Sequence, residues 1–274
     1  MRVDLHTHST ASDGSLSPAE LVAAAANAGV DILALTDHDT IDGYLGICDV
    51  TLPLRLVSGV ELTVKWSRRD IHIVGLAFDA ADANLTALLA RQHKARFERA
   101  RAIAKRLAQR GMPDMLRAAT AAANGQAPGR VHFARCLVDA GVVPTLRRAF
   151  RQYLGDGKPC HVRGDWAPLT EAIDCISSAG GVAVLAHPLG YRLTATGLMQ
   201  LVDDFAAAGG HAVEWSDTLD QAALAKRLHQ RISAHDLAVS SGSDYHGDGQ
   251  PWRRLGRIDK VPDDLRTVYA DWRR

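Results

Sequence analysis

Short, continuous apolar runs recur along the chain, and segments with helical periodicity separate most of them. A fully apolar run of this length is typical of a buried strand in a parallel sheet. The runs lie at residues 3–5, 31–35, 54–60, 70–78, 182–186, 212–215 and 237–241. A helix is predicted after the first run, with Ser17 as its cap, Pro18 at its first position and Gly29 as its stop. Seven strands that alternate with helices favour an α/β fold, and specifically an irregular (β/α) barrel.

The region from 83 to 165 interrupts this alternation. A long helical pattern rich in Ala, Leu and Arg covers 83–110, shorter helical patterns follow, and no strand pattern is present. We therefore expect a barrel built from residues 1–82 and 166–274, with residues 83–165 as a helical insertion.

Composition narrows the classes of function. The 274 residues are 47% hydrophobic, which is enough for one large core. The net charge of +1 provides no global field for nucleic acid, so any anion site must be local. The four cysteines form no Cys-x-x-Cys pair, and no apolar run approaches the roughly 18 residues of a membrane span. With a candidate site that begins at residue 6, a cleaved signal peptide is not expected. We expect a cytoplasmic protein with reduced thiols, no membrane span and no evident protein partner.

Histidines and carboxylates lie at the ends of the predicted strands, or within one of them. His6 and His8 are two positions apart at the end of the first strand, so both side chains face the same side and can reach one ion. The candidate metal ligands are His6, His8, Asp13, His38, Glu61, His72, His187, Asp244 and His246. An isolated His-x-His pair is usually a chance feature of a loop. Six of the twelve histidines belong to this set, which makes chance the weaker explanation.

The ligand types define the expected chemistry. Imidazole and carboxylate groups without thiolate favour Mn²⁺, Zn²⁺ or Fe²⁺ over Mg²⁺ or Ca²⁺. Nine ligands exceed the needs of one ion, so two or three divalent ions are expected. Their charge would exceed that of the three carboxylates, which suits a phosphate ester as substrate. A metal-bound hydroxide is the expected nucleophile, and the general acid is unassigned. Metal-assisted amide hydrolysis uses similar ligands and stays open.

The motifs resemble those of the PHP (polymerase and histidinol phosphatase) family over nearly the whole chain. They are His6-x-His8, Ser12-Asp13-Gly14, Thr36-Asp37-His38-Asp39, Gly59-x-Glu61, His72-Ile73-Val74-Gly75, Ala186-His187-Pro188 and Ser243-Asp244-x-His246. The resemblance implies a distorted (β/α)7 barrel with a trinuclear site, for which we expect Mn²⁺, with Zn²⁺ or Fe²⁺ as alternatives. It implies one ion on His6, His8, Glu61 and Asp244, a second on Glu61, His72 and His187, and a third on Asp13, His38 and His246.

The helical insertion, with segments 130–135 and 157–159, is similar to the branch that acts on nucleoside 3′,5′-bisphosphates. Some members of that branch also trim RNA from its 5′ end. The resemblance therefore implies a phosphoesterase that removes the 3′-phosphate of a small nucleotide bisphosphate, with short RNA 5′ ends as further substrates. The expected ligands of the second phosphate are Arg130, His132, Arg135 and Lys158. A helix start favours an anion, and guanidinium and ammonium groups add donors.

Three alternatives stay open. The protein could be a phosphomonoesterase for a non-nucleotide such as histidinol phosphate, or a non-catalytic metal or nucleotide sensor. The basic residues of the insertion could equally form only a solvated face.

Several residues are expected to have supporting roles. Glu214 ends a strand without matching a ligand motif and is predicted to support the site, while Asp37 is a candidate for orienting a ligand histidine. Trp166 is expected to pack where the chain returns from the insertion. Arg68 and Arg69 are expected to form a solvated turn.

Overall fold

The computed structural model describes residues 1–216, 221–249 and 253–273, which form a mixed α/β fold. Strands β1 to β8 span Val3–Asp4, Ile32–Ala34, Arg55–Val57, Gly59–Trp66, Arg69–Leu76, Val182–Leu185, Ala212–Glu214 and Ala238–Ser240. Helices α1 to α9 span Pro18–Asn27, Asp42–Leu45, Ala83–Ala108, Met115–Ala122, Arg130–Asp139, Leu146–Ala149, Leu169–Ser178, Ala195–Ala207 and Ala222–Ala234. A π-helical turn covers Phe150–Leu154, and 3₁₀ turns cover Pro188–Gly190 and Ala270–Arg273.

The strands form two sheets. Strands β1, β2 and β3 make a parallel sheet, and β4 to β8 make a five-stranded sheet in chain order. In the second sheet β5 runs antiparallel to both β4 and β6, whereas β6, β7 and β8 are parallel. The prediction of one strand over 54–60 was wrong. The chain pairs with β2 only up to Val57 and then forms the longer strand β4, whose residues from Gly59 to Val64 are all buried. The strand was predicted to end at Glu61 because a buried carboxylate inside a strand is unusual.

Main-chain hydrogen bonds also join the two sheets at the segments that follow β1, β2 and β8. At one edge they are Leu5 N–H to Ser241 O (3.0 Å), Asp244 N–H to His6 O (2.8 Å) and His8 N–H to Tyr245 O (2.9 Å). At the other edge they are Asp39 N–H to Glu61 O (2.9 Å) and Glu61 N–H to Asp37 O (3.2 Å). The segments so joined contain most of the candidate ligands.

Two hydrophobic clusters meet along α3. The first residues of this helix, including Leu85 and Leu88, pack in the main cluster with β4, β5 and α7. Its second half contributes Ile103 and Leu107 to a separate cluster with α4 and α5. The predicted boundaries at 83 and 165 stay predictions. Helix α3 begins at the first of them, and its long apolar face contributes to both clusters.

The predicted ends of α1 are confirmed. Ser17 and Glu20 form a capping box, Pro18 occupies the first turn, and Gly29 follows with φ of 76°. All four cysteines are free thiols. No helix in the described part of the chain is long and apolar enough to cross a membrane.

Candidate metal centre

All nine predicted ligands converge in one cluster of side chains. His6 and His8 follow β1, Asp13 lies in the turn before α1, and His38 follows β2. His187 follows β6, and Asp244 and His246 follow β8. The remaining two lie inside strands of the β4–β5 hairpin. In its antiparallel register Glu61 pairs with Val74, so His72, two residues from Val74, projects from the same face of the sheet as Glu61.

Glu61 is at the centre of the cluster, with 1% of its side chain exposed. One carboxylate oxygen, Oε1, faces His6 Nε2 (3.3 Å), His72 Nδ1 (2.9 Å) and His187 Nε2 (3.0 Å). The other, Oε2, faces His8 Nε2 (3.3 Å) and His38 Nδ1 (3.0 Å). Burial alone would raise the pKa of Glu61, but His72, His38 and His6 hold it well below its ordinary value. An ionised carboxylate shared by five imidazoles has the geometry of a bridging ligand.

The other two carboxylates each serve one side of the cluster. Asp244 Oδ1 lies 3.5 Å from His6 Nε2 and 3.3 Å from His8 Nε2. Asp13 Oδ1 lies 3.3 Å from His246 Nε2 and 3.9 Å from His38 Nε2. The contacts also cross between the three predicted ligand groups. His38 contacts both Glu61 and Asp13, His8 Nδ1 lies 3.9 Å from Asp13 Oδ1, and His246 Nδ1 lies 3.4 Å from Asp244 Oδ1. The division of the ligands among three ions stays a prediction.

The donor set fits divalent cations. Several buried atoms make no hydrogen bond within the described residues: His6 Nε2, both nitrogens of His8, Asp13 Oδ1 and His38 Nδ1. Orphaned buried polar atoms of this kind require a partner. Burial and the neighbouring His246 lower the pKa of His8 to about 3, so its ring is neutral and has a free lone pair. Ligand atoms from this cluster fall into four overlapping groups, each within 4.8 Å, and the groups include all nine predicted residues.

Glu214 fixes the orientation of two histidines. Its carboxylate lies 3.1 Å from His6 Nδ1, which leaves His6 Nε2 directed at the cluster, and it accepts the His187 backbone N–H at 2.6 Å. Its predicted supporting role agrees with these contacts. The prediction for Asp37 was wrong, because its carboxylate forms no hydrogen bond or ion pair with a histidine among the residues that the structure describes. It accepts hydrogen bonds from Ser9 and Ser12 and so fixes the turn after His8.

The backbone is strained where ligands are presented. His187 and Asp244 have φ values of 30° and 51°, which side-chain-bearing residues rarely adopt. Two residues before Asp244, Gly242 approaches the segment after β1 so closely that a Cβ there would lie 2.3 Å from the Cβ of His6.

A cavity of about 490 Å³ opens beside the cluster, and residues of the helical insertion form part of its wall. Arg130 and Arg135, both predicted, line it from α5. His132 lies in a smaller adjoining cavity, where its Nδ1 accepts the Gly129 N–H at 3.0 Å. Lys158 is exposed and lines neither cavity, so the structure does not bring it to the site.

Three arginines of this cavity were not predicted from the sequence. Arg96 and Arg99 enter it from α3, and Arg253 pairs with the carboxylate of Asp244. A signal was present for the first two, because they interrupt the buried apolar face of α3 one turn apart. Both guanidinium groups lie over the buried ring of Trp166, 5.5 Å from its centroid. Packing is therefore the role that the structure gives Trp166, as expected.

The sequence is similar to that of a known protein family and of known enzymes. The model of the PHP domain matches residues 4–154. A 5′-3′ exoribonuclease of Haemophilus influenzae is 44% identical over 98% of this chain and 98% of its own. A 3′,5′-nucleoside bisphosphate phosphatase of Chromobacterium violaceum is 37% identical over 98% and 95%.

Solved structures agree with the sequence relatives. One from Chromobacterium violaceum, described as an amidohydrolase with bound sulfate and no metal, has a TM-score of 0.89 at 37% identity and covers 99% of this chain and 95% of its own. A metal-dependent phosphoesterase, so described, from Bifidobacterium adolescentis has a TM-score of 0.78 at 27% identity, with 97% and 92% covered. The resemblance predicted from the motifs is confirmed, and the chain belongs to the PHP domain family.

Proposed function

We propose that this metal-dependent phosphoesterase hydrolyses the 3′-phosphate of nucleoside 3′,5′-bisphosphates and removes nucleotides from the 5′ end of short RNA. The observation that carries the proposal is one cavity with two kinds of wall. Seven of the nine candidate metal ligands line one side, where His6 and His8 contact Glu61 and Asp244, and arginines from the insertion form the other side. A substrate with two phosphates uses both sides, whereas a monophosphate uses only one. The relatives named as a nucleoside bisphosphate phosphatase and a 5′-3′ exoribonuclease support this substrate class.

The proposed cofactors are two or three divalent ions, with Mn²⁺ the expected metal. His6, His8, Glu61 and Asp244 would hold one ion, Glu61, His72 and His187 a second, and Asp13, His38 and His246 a third. When bound, such ions would polarise the phosphoryl oxygens and lower the pKa of water, so that hydroxide is available near neutral pH.

The surrounding residues orient this set. Glu214 accepts a hydrogen bond from His6 Nδ1 and thereby fixes the tautomer whose Nε2 lone pair faces the pocket. Arg253 contacts Asp244 and reduces the repulsion between that carboxylate and an anionic substrate.

The second phosphate has a separate set of partners. Arg130 and Arg135 both line the cavity from α5, and Arg130 is the first residue of that helix, where backbone N–H groups also favour an anion. Arg99 is buried and forms no ion pair within the described residues, and its Nε donates to Val162 O at 2.9 Å. Burial and the nearby Arg130 and Arg96 lower the pKa of Arg99 to about 9, which leaves it charged at neutral pH. A phosphate would supply the counter-charge that Arg99 lacks.

His132 is proposed as a neutral hydrogen-bond donor. Burial lowers the pKa of its ring, and its Nδ1 is already occupied as an acceptor of the Gly129 N–H. The proton of the neutral ring is therefore on Nε2, which is free to donate.

The architectural predictions fit this function. The hydrogen bonds that join both edges of the two sheets support a closed, distorted (β/α)7 barrel. We propose that residues 83–165 form the lobe that covers the substrate. A cytoplasmic location and the lack of a protein partner stay predictions.

The test combines elemental analysis with a phosphate-release assay. Purified protein loaded with Mn²⁺ should release phosphate from adenosine 3′,5′-bisphosphate with a kcat/KM at least tenfold above that for adenosine 3′-monophosphate or histidinol phosphate. Equal or better use of histidinol phosphate would favour the monoesterase alternative. Metal binding without any phosphate release would favour a sensor.

A further inference from the structure

A second cavity of about 540 Å³ adjoins the metal centre. It shares five lining residues with the first cavity, which are Asp70, His72, Arg130, Gly190 and Tyr191. His72 is a candidate metal ligand, so the second cavity opens directly beside the cluster. It is as large as the first, and a cavity of this size has room for a further nucleotide.

Arginines dominate the wall of this second cavity. Five guanidinium groups face it, against two carboxylates, Asp70 and Asp156. The five are Arg68, Arg69, Arg130, Arg163 and Arg192. They come from separate segments: the β4–β5 turn, the start of α5, the chain before α7 and the chain before α8. Only tertiary folding brings them together, and the expectation that Arg68 and Arg69 form merely a solvated turn does not account for this convergence.

Most of these five arginines have no counter-charge among the described residues. Asp156 is already engaged by Arg130 at 3.0 Å and by His161 at 3.4 Å. The guanidinium groups of Arg68, Arg69, Arg163 and Arg192 form no ion pair or hydrogen bond with any residue that the structure describes. Four unpaired cations around a concave surface repel one another, and their field attracts a polyanion. Guanidinium groups bind phosphate in two-pronged fashion, which suits a phosphodiester chain.

We propose that the second cavity binds the phosphates of an RNA chain on the 3′ side of the bond being cleaved. The inference rests on the proposed function and adds a track for the substrate beyond the metal centre. A nucleoside bisphosphate ends within the first cavity, whereas an oligoribonucleotide continues past His72 into the second. Affinity therefore rises with chain length, and the gain comes from the four unpaired arginines.

The test compares two substrates across two matched variants. The test variant carries Arg68→Gln, Arg163→Gln and Arg192→Gln. The control variant carries Arg101→Gln, Arg117→Gln and Arg227→Gln, which removes the same charge from exposed positions that line neither cavity. All six side chains are exposed, so both variants are expected to fold. The substrates are adenosine 3′,5′-bisphosphate and a 5′-phosphorylated RNA hexamer, each with the Mn²⁺-loaded enzyme.

We expect the test variant to lose kcat/KM on the hexamer on the order of tenfold, through KM, because three exposed ionic contacts are removed. The salt dependence of log kcat/KM should become shallower by about 2, since each contact with a single strand releases roughly 0.7 counterion. Phosphate release from the bisphosphate should stay within about twofold, and the control variant should match the parent on both substrates.

The inference is overturned by an unchanged hexamer rate, by an equal loss in the control variant, or by an equal loss on the bisphosphate. If the parent enzyme hydrolyses neither substrate, the proposed function fails, and binding of a fluorescent hexamer decides the inference separately. A tenfold weaker Kd in the test variant alone would still support the second cavity as an RNA site. Equal Kd values in all three proteins would exclude it.

Discussion

Asp39 connects the metal centre to the helical insertion through one buried ion pair. Its Oδ2 accepts hydrogen bonds from Arg96 Nε, at 2.9 Å, and from Arg96 Nη2. Its Oδ1 accepts the Thr63 backbone N–H at 2.8 Å and Gln92 Nε2 at 3.0 Å. The carboxylate thus joins the segment after His38 to β4 and to α3. Its side chain is 0% exposed, and that of Arg96 is 10% exposed.

Replacing Asp39 with Asn should reduce the free energy of unfolding by about 3 kcal/mol. Breaking a buried pair costs roughly 3–5 kcal/mol, because the remaining charge stays buried without a partner. The lower end applies here, since Arg96 lines the cavity and can recover some hydration. Asn tolerates the φ of 54° at this position, so backbone strain adds little. The amide also presents N–H donors where the carboxylate accepted four hydrogen bonds.

The assay is equilibrium unfolding in urea at pH 7 with a chelator present, so that metal binding does not mask the loss. Glu98→Gln is the control on the same helix, because Glu98 forms an exposed pair with Lys94 at 4.0 Å and should change the free energy by less than about 0.5 kcal/mol. The double variant Asp39→Asn/Arg96→Met should lose much less free energy of unfolding than the sum of the losses in the two single variants. An Asp39→Asn protein within about 1 kcal/mol of the parent, or additive single effects, would refute the reasoning.

Three further predictions concern the site. Glu61→Gln should lower the number of bound metal ions measured by elemental analysis. Phosphate release should fall by more than the roughly 10- to 100-fold that loss of a supporting group costs. Unchanged metal content would show that Glu61 is not a bridging ligand. Burial alone would lower the pKa of His246, but Asp13 raises it to about 9, so Mn²⁺ binding at pH 7 should release at least one proton, and fewer above pH 9, in calorimetry with buffers of different ionisation enthalpy. The same raised pKa stabilises the metal-free fold fully below pH 6.5, and this contribution is lost as the pH rises through 9; pH-independent proton release would contradict the assignment. Arg135→Ala should raise KM for a bisphosphate roughly ten- to a hundredfold with kcat little changed, whereas exposed Lys158→Ala should leave both within about twofold; equal KM effects would remove Arg135 from the subsite.

Local signals in the sequence were sufficient for most elements. The cap at Ser17 and the stop at Gly29 depend on neighbours within one turn, and the structure places both as predicted. Local signals did not predict the start of strand β4 in the β4–β5 hairpin. A carboxylate usually prefers water, but Glu61 is buried among five histidines. The sequence pattern therefore predicted the end of a strand where the structure has its interior.

Support residues were harder to assign than ligands. Asp37 and Asp39 flank His38 symmetrically in the sequence, yet Asp37 binds Ser9 and Ser12 while Asp39 binds Arg96, 57 residues away. No pattern along the chain distinguishes two such carboxylates. Their partners are set by how β2, β4 and α3 pack.

The sequence by itself determined the family, the α/β character and the identity of the metal-ligand candidates, because ligand chemistry constrains both residue type and local spacing. Only the tertiary structure decided that five imidazoles surround the Glu61 carboxylate, that Lys158 lies outside the cavity, and that arginines from four segments surround a second cavity. Long-range convergence of like charges has no local signature, since each arginine is, within its own segment, an ordinary basic residue.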